Sequence, residues 1–235
     1  MTLFRNTRVT TSNAGKPKTD TKYNLILSAL ELFAENGVDA VSMRTINNAA
    51  GTRNASAVHY HFGNKLGIIE AIVDFIKAEL DTSRLDALTA LEQRVRAGET
   101  PCCREILWAA FVPYYRLFST PDYGRHALRF LARLQLDMSP EIQEILNRDP
   151  HQISRRFDTL LAAALPQLPD DVRRLRYLYF WTLMVQMFAG SGHLATTGFG
   201  DLRAASEAAT LQRRFDYLVG GMEGAISTET DATVS

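Results

Sequence analysis

Between Asp20 and Lys65 apolar residues recur at helical spacing in three short bursts, and each burst is closed by a glycine. Ile26, Leu27, Leu30, Leu32 and Phe33, with Ala29 and Ala34 between them, lay a stripe along a helix that Gly37 should end. Ser42 is placed to cap a second short helix through Met43, Ile46, Ala49 and Ala50, which Gly51 terminates. Thr52-Arg53-Asn54 then forms a turn, and a third short helix spans about Ala55 to Phe62 before Gly63. Three compact helices, the last two joined by a short turn, follow the helix-turn-helix plan, whose later helix enters the major groove of DNA.

Around that third helix the run Val58-His59-Tyr60-His61-Phe62-Gly63-Asn64-Lys65 gathers imidazoles, a phenol and an ammonium. These are donors suited to phosphate oxygens, and Lys65 stands at the N-terminus of the next helix, where unpaired backbone N–H groups also favour an anion. A metal is not expected: His59 and His61 are two apart on a helix and do not share a face. Val58 and Phe62 read as core against the first helix, and for His59 a merely structural role competes. Charge points the same way, weakly: residues 1–65 carry 8 Lys/Arg against 4 Asp/Glu, whereas the remainder carries 18 against 22.

On these residues the chain resembles the TetR family of repressors. The likeness runs over about residues 20–70: Ile26-Leu27, Ala29, Leu32-Phe33, Gly37, Ser42, Ile46, Ala50-Gly51 and Tyr60-His61-Phe62-Gly63-Asn64-Lys65. It implies an all-α homodimer with two recognition helices on a palindromic operator in double-stranded DNA. By position in that resemblance His59, Tyr60, His61 and Lys65 lie at the phosphate backbone. Arg53, Asn54 and Ser56 lie where side chains reach base edges, Arg toward guanine and Asn toward adenine. Arg44 and Lys22, and more weakly Thr45, are candidate flanking phosphate contacts. Three departures stand out: His59 replaces the family's usual Tyr, the turn from Thr52 to Ser56 is one residue longer, and Asn47 replaces a small Ala.

Beyond residue 65 the periodicity is helical throughout, with segments expected at 65–80, 84–97, 102–119, 122–138, 141–147, 150–165, 170–192 and 202–226, and with Pro101, Pro121, Pro140, Pro150, Pro166 and Pro169 at junctions. The fold class expected is all-α, an N-terminal three-helix head at 19–65 and a larger helical ligand-binding and dimerisation domain at 66–227. A disordered basic arm (1–18) and tail (228–235) flank them. The segment 170–192 is apolar nearly all round, and Leu211, Phe215, Leu218, Val219 and Met222 form a stripe on the last helix. The resemblance implies that these two helices pair with their two-fold mates, with Met187, Phe188, Phe215, Leu218 and Met222 at the interface. An intrachain core is the competing reading.

The middle helices are aromatic, and the family's ligand cavity lies among them. Trp108, Phe111, Tyr114, Tyr115, Phe118, Phe130, Gln135, Trp181 and Met184 are therefore the candidate lining for a small, mostly apolar effector, although plain packing would use the same residues. Arg125, Arg129 and Arg133 share a helix face, read as solvated or paired with acids such as Asp137, or as holding an anionic ligand.

No Gly-rich phosphate loop, HExxH, Gly-x-Ser-x-Gly or Glu-x-x-His pattern occurs, so an enzyme is a remote alternative and no cofactor is expected. A DNA-binding protein without a small-molecule effector is the nearer one. Cys102 and Cys103, being adjacent, read as free thiols. No stretch is apolar for long enough to span a membrane, and with no leader visible the expected location is the cytoplasm.

Overall fold

The computed structural model describes residues 21–52, 54, 56–149, 151–203 and 206–226. The basic arm, the tail and Arg53 lie outside the described residues. The helices are α1 (Thr21–Asn36), α2 (Met43–Ala49), α3 (Ala57–Phe62), α4 (Lys65–Arg96), α5 (Cys103–Phe118), α6 (Gly124–Leu134), α7 (Pro140–Asn147), α8 (Ile153–Ala164), α9 (Asp170–Ala189) and α10 (Glu207–Glu223). Among the described residues there is no strand, only an isolated bridge between Thr197 and Gly200.

The head forms as its punctuation demands. Gly37, Gly51 and Gly63 adopt φ of 84°, 64° and 73°, left-handed values at which any other residue would strain, so each lets the chain leave its helix. Ser42 Oγ accepts from the Thr45 N–H at 3.1 Å and Asn64 Oδ1 from the Gly67 N–H at 2.8 Å, which satisfies donors that the starts of α2 and α4 leave free. Leu25, Ala29, Leu30 and Phe33 of α1 are fully buried, together with Ile46 and Val58.

Several expected boundaries are corrected. The break at 81–83 does not exist: α4 is one helix of 32 residues. Asp81, Thr82 and Ser83 look like a cap in sequence, but Leu80 and Leu88 are buried on either side and Asp81 pairs with Arg84, so burial carries the helix through. The last helix begins later than expected, at Glu207, where Ser206 Oγ accepts from the Ala209 N–H at 3.1 Å. Helix α9 stops at Ala189, and residues Ser191–Ala195 form a 3₁₀ turn.

The apolar core is continuous from the head into the body. Helix α6 is the intermediary, packed on α1 to one side and α9 to the other. Phe130 stacks on Phe33 of α1 with ring centroids 6.0 Å apart. Cations from neighbouring helices finish exposed helix ends, where carbonyls lack partners and the dipole is negative. Arg176 of α9 donates to the carbonyls of Met222 (2.9 Å) in the last turn of α10 and of Gly224 (2.6 Å) and Ala225 (3.0 Å) just beyond it. Lys77 of α4 does the same for Ile145 (3.0 Å) and Leu146 (3.2 Å) in α7.

The residues expected at a dimer interface are also corrected. Phe188, Phe215, Leu218 and Met222 are buried within the single chain, and Met187 packs on the same core. Phe188 and Phe215 both meet Phe111, at 5.3 and 5.1 Å between ring centroids. They therefore face inward, and none of the four is left to meet a partner. The intrachain reading of that stripe is the one the packing supports.

Candidate nucleic-acid interface and effector cavity

In the head, Ala57 and Val58 point α3 into the core, which leaves His59 and Tyr60 outward, Tyr60 being 83% exposed. Tyr60 meets the edge of the His61 ring at 5.1 Å. His59 Nδ1 donates to the Gly63 carbonyl at 2.9 Å, which leaves Nε2 for another partner. Asn54 Oδ1 accepts from the Ser56 N–H at 2.9 Å, leaving the exposed amide NH2 for other partners. Asn54, Tyr60 and His61 come together with Thr21 and Asn24 of α1 around a hollow of about 500 Å³. Sequence reasoning missed Thr21 and Asn24, which carry no motif of their own.

Arg44 and Thr45 are exposed at the start of α2, and Lys22 is exposed on α1 near the Phe62 ring, 6.0 Å from its centroid. Lys65 departs from the expected role. Its Nζ donates to the Val38 carbonyl at 3.0 Å and the Asp39 carbonyl at 3.4 Å, so its ammonium ties α4 to the turn after α1.

The buried Asn47 bridges the end of α2 and the start of α3. Its Oδ1 accepts from the Val58 N–H at 3.1 Å and from Thr52 Oγ1 at 3.3 Å, and its backbone oxygen accepts from Thr52 N at 3.2 Å. One side chain thus spans the turn and fixes the start of α3 relative to α2. The sequence signal was a polar residue at a position where the helical spacing asks for an apolar one.

The body contains a cavity of about 720 Å³ between α4, α7, α8 and α9, with Ile76, Leu80, Leu131, Leu146, Ile153 and Tyr177 among its walls. Of the aromatic residues expected there, only Tyr114 and Trp181 line it, joined by a 2.7 Å hydrogen bond from Trp181 Nε1 to the Tyr114 hydroxyl. The others are absent from its walls for a packing reason. Trp108 meets Phe215 (4.9 Å), Phe118 meets Phe188 (5.2 Å), Phe111 meets both partners, and Phe130 is spent on Phe33. Met184 is buried, Tyr115 packs on the core, and Gln135 Oε1 accepts from Gln186 at 3.2 Å. These residues seat α5 and α6 against α9 and α10.

Sequence reasoning missed Arg84 and Tyr177 as lining. Arg84 was hidden by the expected break in α4, and Tyr177 by the apolar stretch around it. The arginines of α6 divide: Arg125 covers the Phe118 ring at 4.4 Å, Arg129 borders a shallow hollow beside His193, and Arg133 caps α1. Asp158 at the cavity edge holds Arg173 (2.8 Å) and Arg174 (2.9 Å). Burial works against its charge, but the two guanidinium groups outweigh it and hold its carboxyl below the usual range.

Three helices at the N-terminus with an exposed α3, set on a helical body, define a helix-turn-helix DNA-binding regulator. The chain belongs to the TetR family: it matches the profile of "Bacterial regulatory proteins, tetR family" over residues 25–72 and that of "Tetracyclin repressor-like, C-terminal domain" over residues 108–221. Among solved structures it is similar to AmtR of Mycobacterium smegmatis, with a TM-score of 0.55 and 16% identity over 90% of each chain. A tetR-family regulator from Shewanella sp. PV-4 follows, with a TM-score of 0.53 and 15% identity over 86% of this chain and 97% of that one. One from Marinobacter aquaeolei VT8 also scores 0.53, with 14% identity over 86% of this chain and 94% of that one. At such identities the likeness is one of fold. None of the curated proteins matches the chain in sequence. No helix of the described residues is long and apolar enough to cross a membrane.

Proposed function

We propose that this regulator is a repressor that binds a palindromic operator as a homodimer and leaves it when a small, mostly apolar molecule fills the cavity. One observation carries the reading: a single helix serves both places. Helix α4 is tied to the head by Lys65, and Ile76, Lys77, Leu80, Asp81 and Arg84 further along it line the cavity. From Lys65 to Arg84 the helix rises about 28 Å, so a ligand that tilts it moves α3. Two recognition helices must match successive major grooves about 34 Å apart, and a changed spacing breaks that match.

The contact face of the dimer follows from what the chain leaves outside. On α9, Tyr179 and Leu183 are exposed one turn apart, and on α10 Tyr217 is exposed beside Gly220 and Gly221, whose surroundings are open. An aromatic and aliphatic face with glycines that admit close approach suits a four-helix contact between two copies. Light scattering should give a dimer at micromolar concentration, and Leu183→Asp should give a folded monomer. A wild-type monomer would contradict the assembly.

Release is tested by a thermal-shift screen of metabolites against the full chain, followed by titration of each hit into free and operator-bound protein. A ligand that weakens operator binding must itself bind the complex more weakly, by the same factor. A hit in the cavity with equal affinity for both forms would overturn the mechanism.

A further inference from the structure

We propose that the cavity selects an organic anion, an apolar tail bearing one carboxylate, and that Arg84 with the hydroxyls of Tyr114 and Tyr177 receives the carboxylate. This rests on the reading of the cavity as an effector site and names the ligand's chemical class.

Arg84 stands in the middle of α4 with its side chain only 14% exposed. A buried guanidinium ordinarily spends every donor, because an unmade hydrogen bond there costs more than a made one gains. One terminal nitrogen is bound to Asp81, but Nε has no partner among the described residues. The guanidinium carbon lies 5.9 Å from the centre of the Tyr114 ring. The Tyr114 hydroxyl already accepts from Trp181, which leaves its own proton to give. Arg84, Tyr114 and Tyr177 all line the one cavity, and each carries a donor.

Their protonation suits the task. Burial opposes the charge on Arg84, yet the Asp81 carboxylate bound to it helps hold its pKa above the ordinary value. Burial pushes the Tyr177 phenol well up, so it remains a neutral donor at any physiological pH. Of the other cations on its walls, Lys77 is engaged by the carbonyls of α7, Arg148 by Glu70 and Arg174 by Asp158, and Arg155 is exposed to solvent. Asp149, on the same wall, accepts from the Ser154 N–H at 3.0 Å. Ile76, Leu80, Leu131, Leu146 and Ile153 then offer the tail its surface.

The test is calorimetric titration of the full chain with hexanoate, octanoate and decanoate against the 1-alkanols of equal length. At least one carboxylate should bind about ten-fold or more tightly than its alcohol, the worth of one charge-assisted contact. In Arg84→Met, checked for helicity by circular dichroism, that ratio should fall to near one. Should that variant not fold, Tyr114→Phe carries the test, with the ratio lowered several-fold. Alcohols that bind as well as the acids, a preference that survives Arg84→Met, or no binding of any carboxylate overturns the proposal. Alcohols that bind equally and still release operator would sink the anion and leave the effector reading standing. Failure of both classes, with a metabolite screen also empty, would remove the two together.

Discussion

Arg133 of α6 donates from Nε to the carbonyl oxygen of Ala34 at 3.0 Å and from a terminal nitrogen to that of Glu35 at 3.2 Å. The body thereby caps the last turn of the first helix of the head, where carbonyls lack partners and the dipole is negative. Because the contact is only partly buried, Arg133→Ala should cost only about 0.5–1.5 kcal/mol of stability. Its larger effect should be on the relation between the two parts. Operator affinity should fall several-fold, and Arg133→Lys should recover part of it. Unchanged operator affinity in an anisotropy titration would show that the cap does not orient the head.

Asn47 is the second joint. Asn47→Ala removes the acceptor shared by the Val58 N–H and Thr52, leaving a buried amide unpaired. Urea unfolding should register a loss of about 1–3 kcal/mol, with operator binding reduced in step. A change below about 0.5 kcal/mol would mean that the turn holds without it.

Lys65 separates two roles cleanly. A lysine on phosphate contributes about one to the slope of log affinity against log salt. The Lys65 ammonium is instead engaged with Val38 and Asp39, so Lys65→Ala should weaken binding to all sequences while leaving that slope unchanged. A slope shallower by about one would return Lys65 to the phosphate backbone.

Asp158 gives the protein an acid limit. Its folded-state pKa lies below the unfolded one, so the stability it supplies is present above the unfolded value, about 3.9, and is lost as pH falls through the folded value. The stability gap between wild type and Asp158→Asn should be widest at neutral pH and narrow as pH falls below the unfolded value. A gap independent of pH would contradict the ion-pair account.

The head was legible in sequence because its signals are local: a glycine after each helix, Ser42 and Asn64 as caps, and an apolar stripe every turn. The body was legible as helices but not as surfaces. Phe188, Phe215, Leu218 and Met222 form a stripe that would serve a partner or an intrachain core equally well, and only the position of Phe111 decides. The cavity was displaced for a related reason. Aromatic density marks where rings interlock, and interlocked rings leave no space. The chamber lies where α4 runs on past Asp81, and the polar residues there looked like a helix end. Arg133 read as a surface charge because its partners are backbone oxygens about a hundred residues away, which no side-chain pattern records.

The central claim, that two copies of this head read DNA through paired recognition helices, is tested most directly by selecting sites from a random double-stranded DNA pool with the full-length protein and sequencing what is retained. The account predicts a palindrome with half-sites on one face of the duplex, about 10 bp or a multiple apart, bound by an even number of chains and lost steeply with salt. Enrichment of a single asymmetric site bound by one chain, or no enrichment above nonspecific binding, would contradict it.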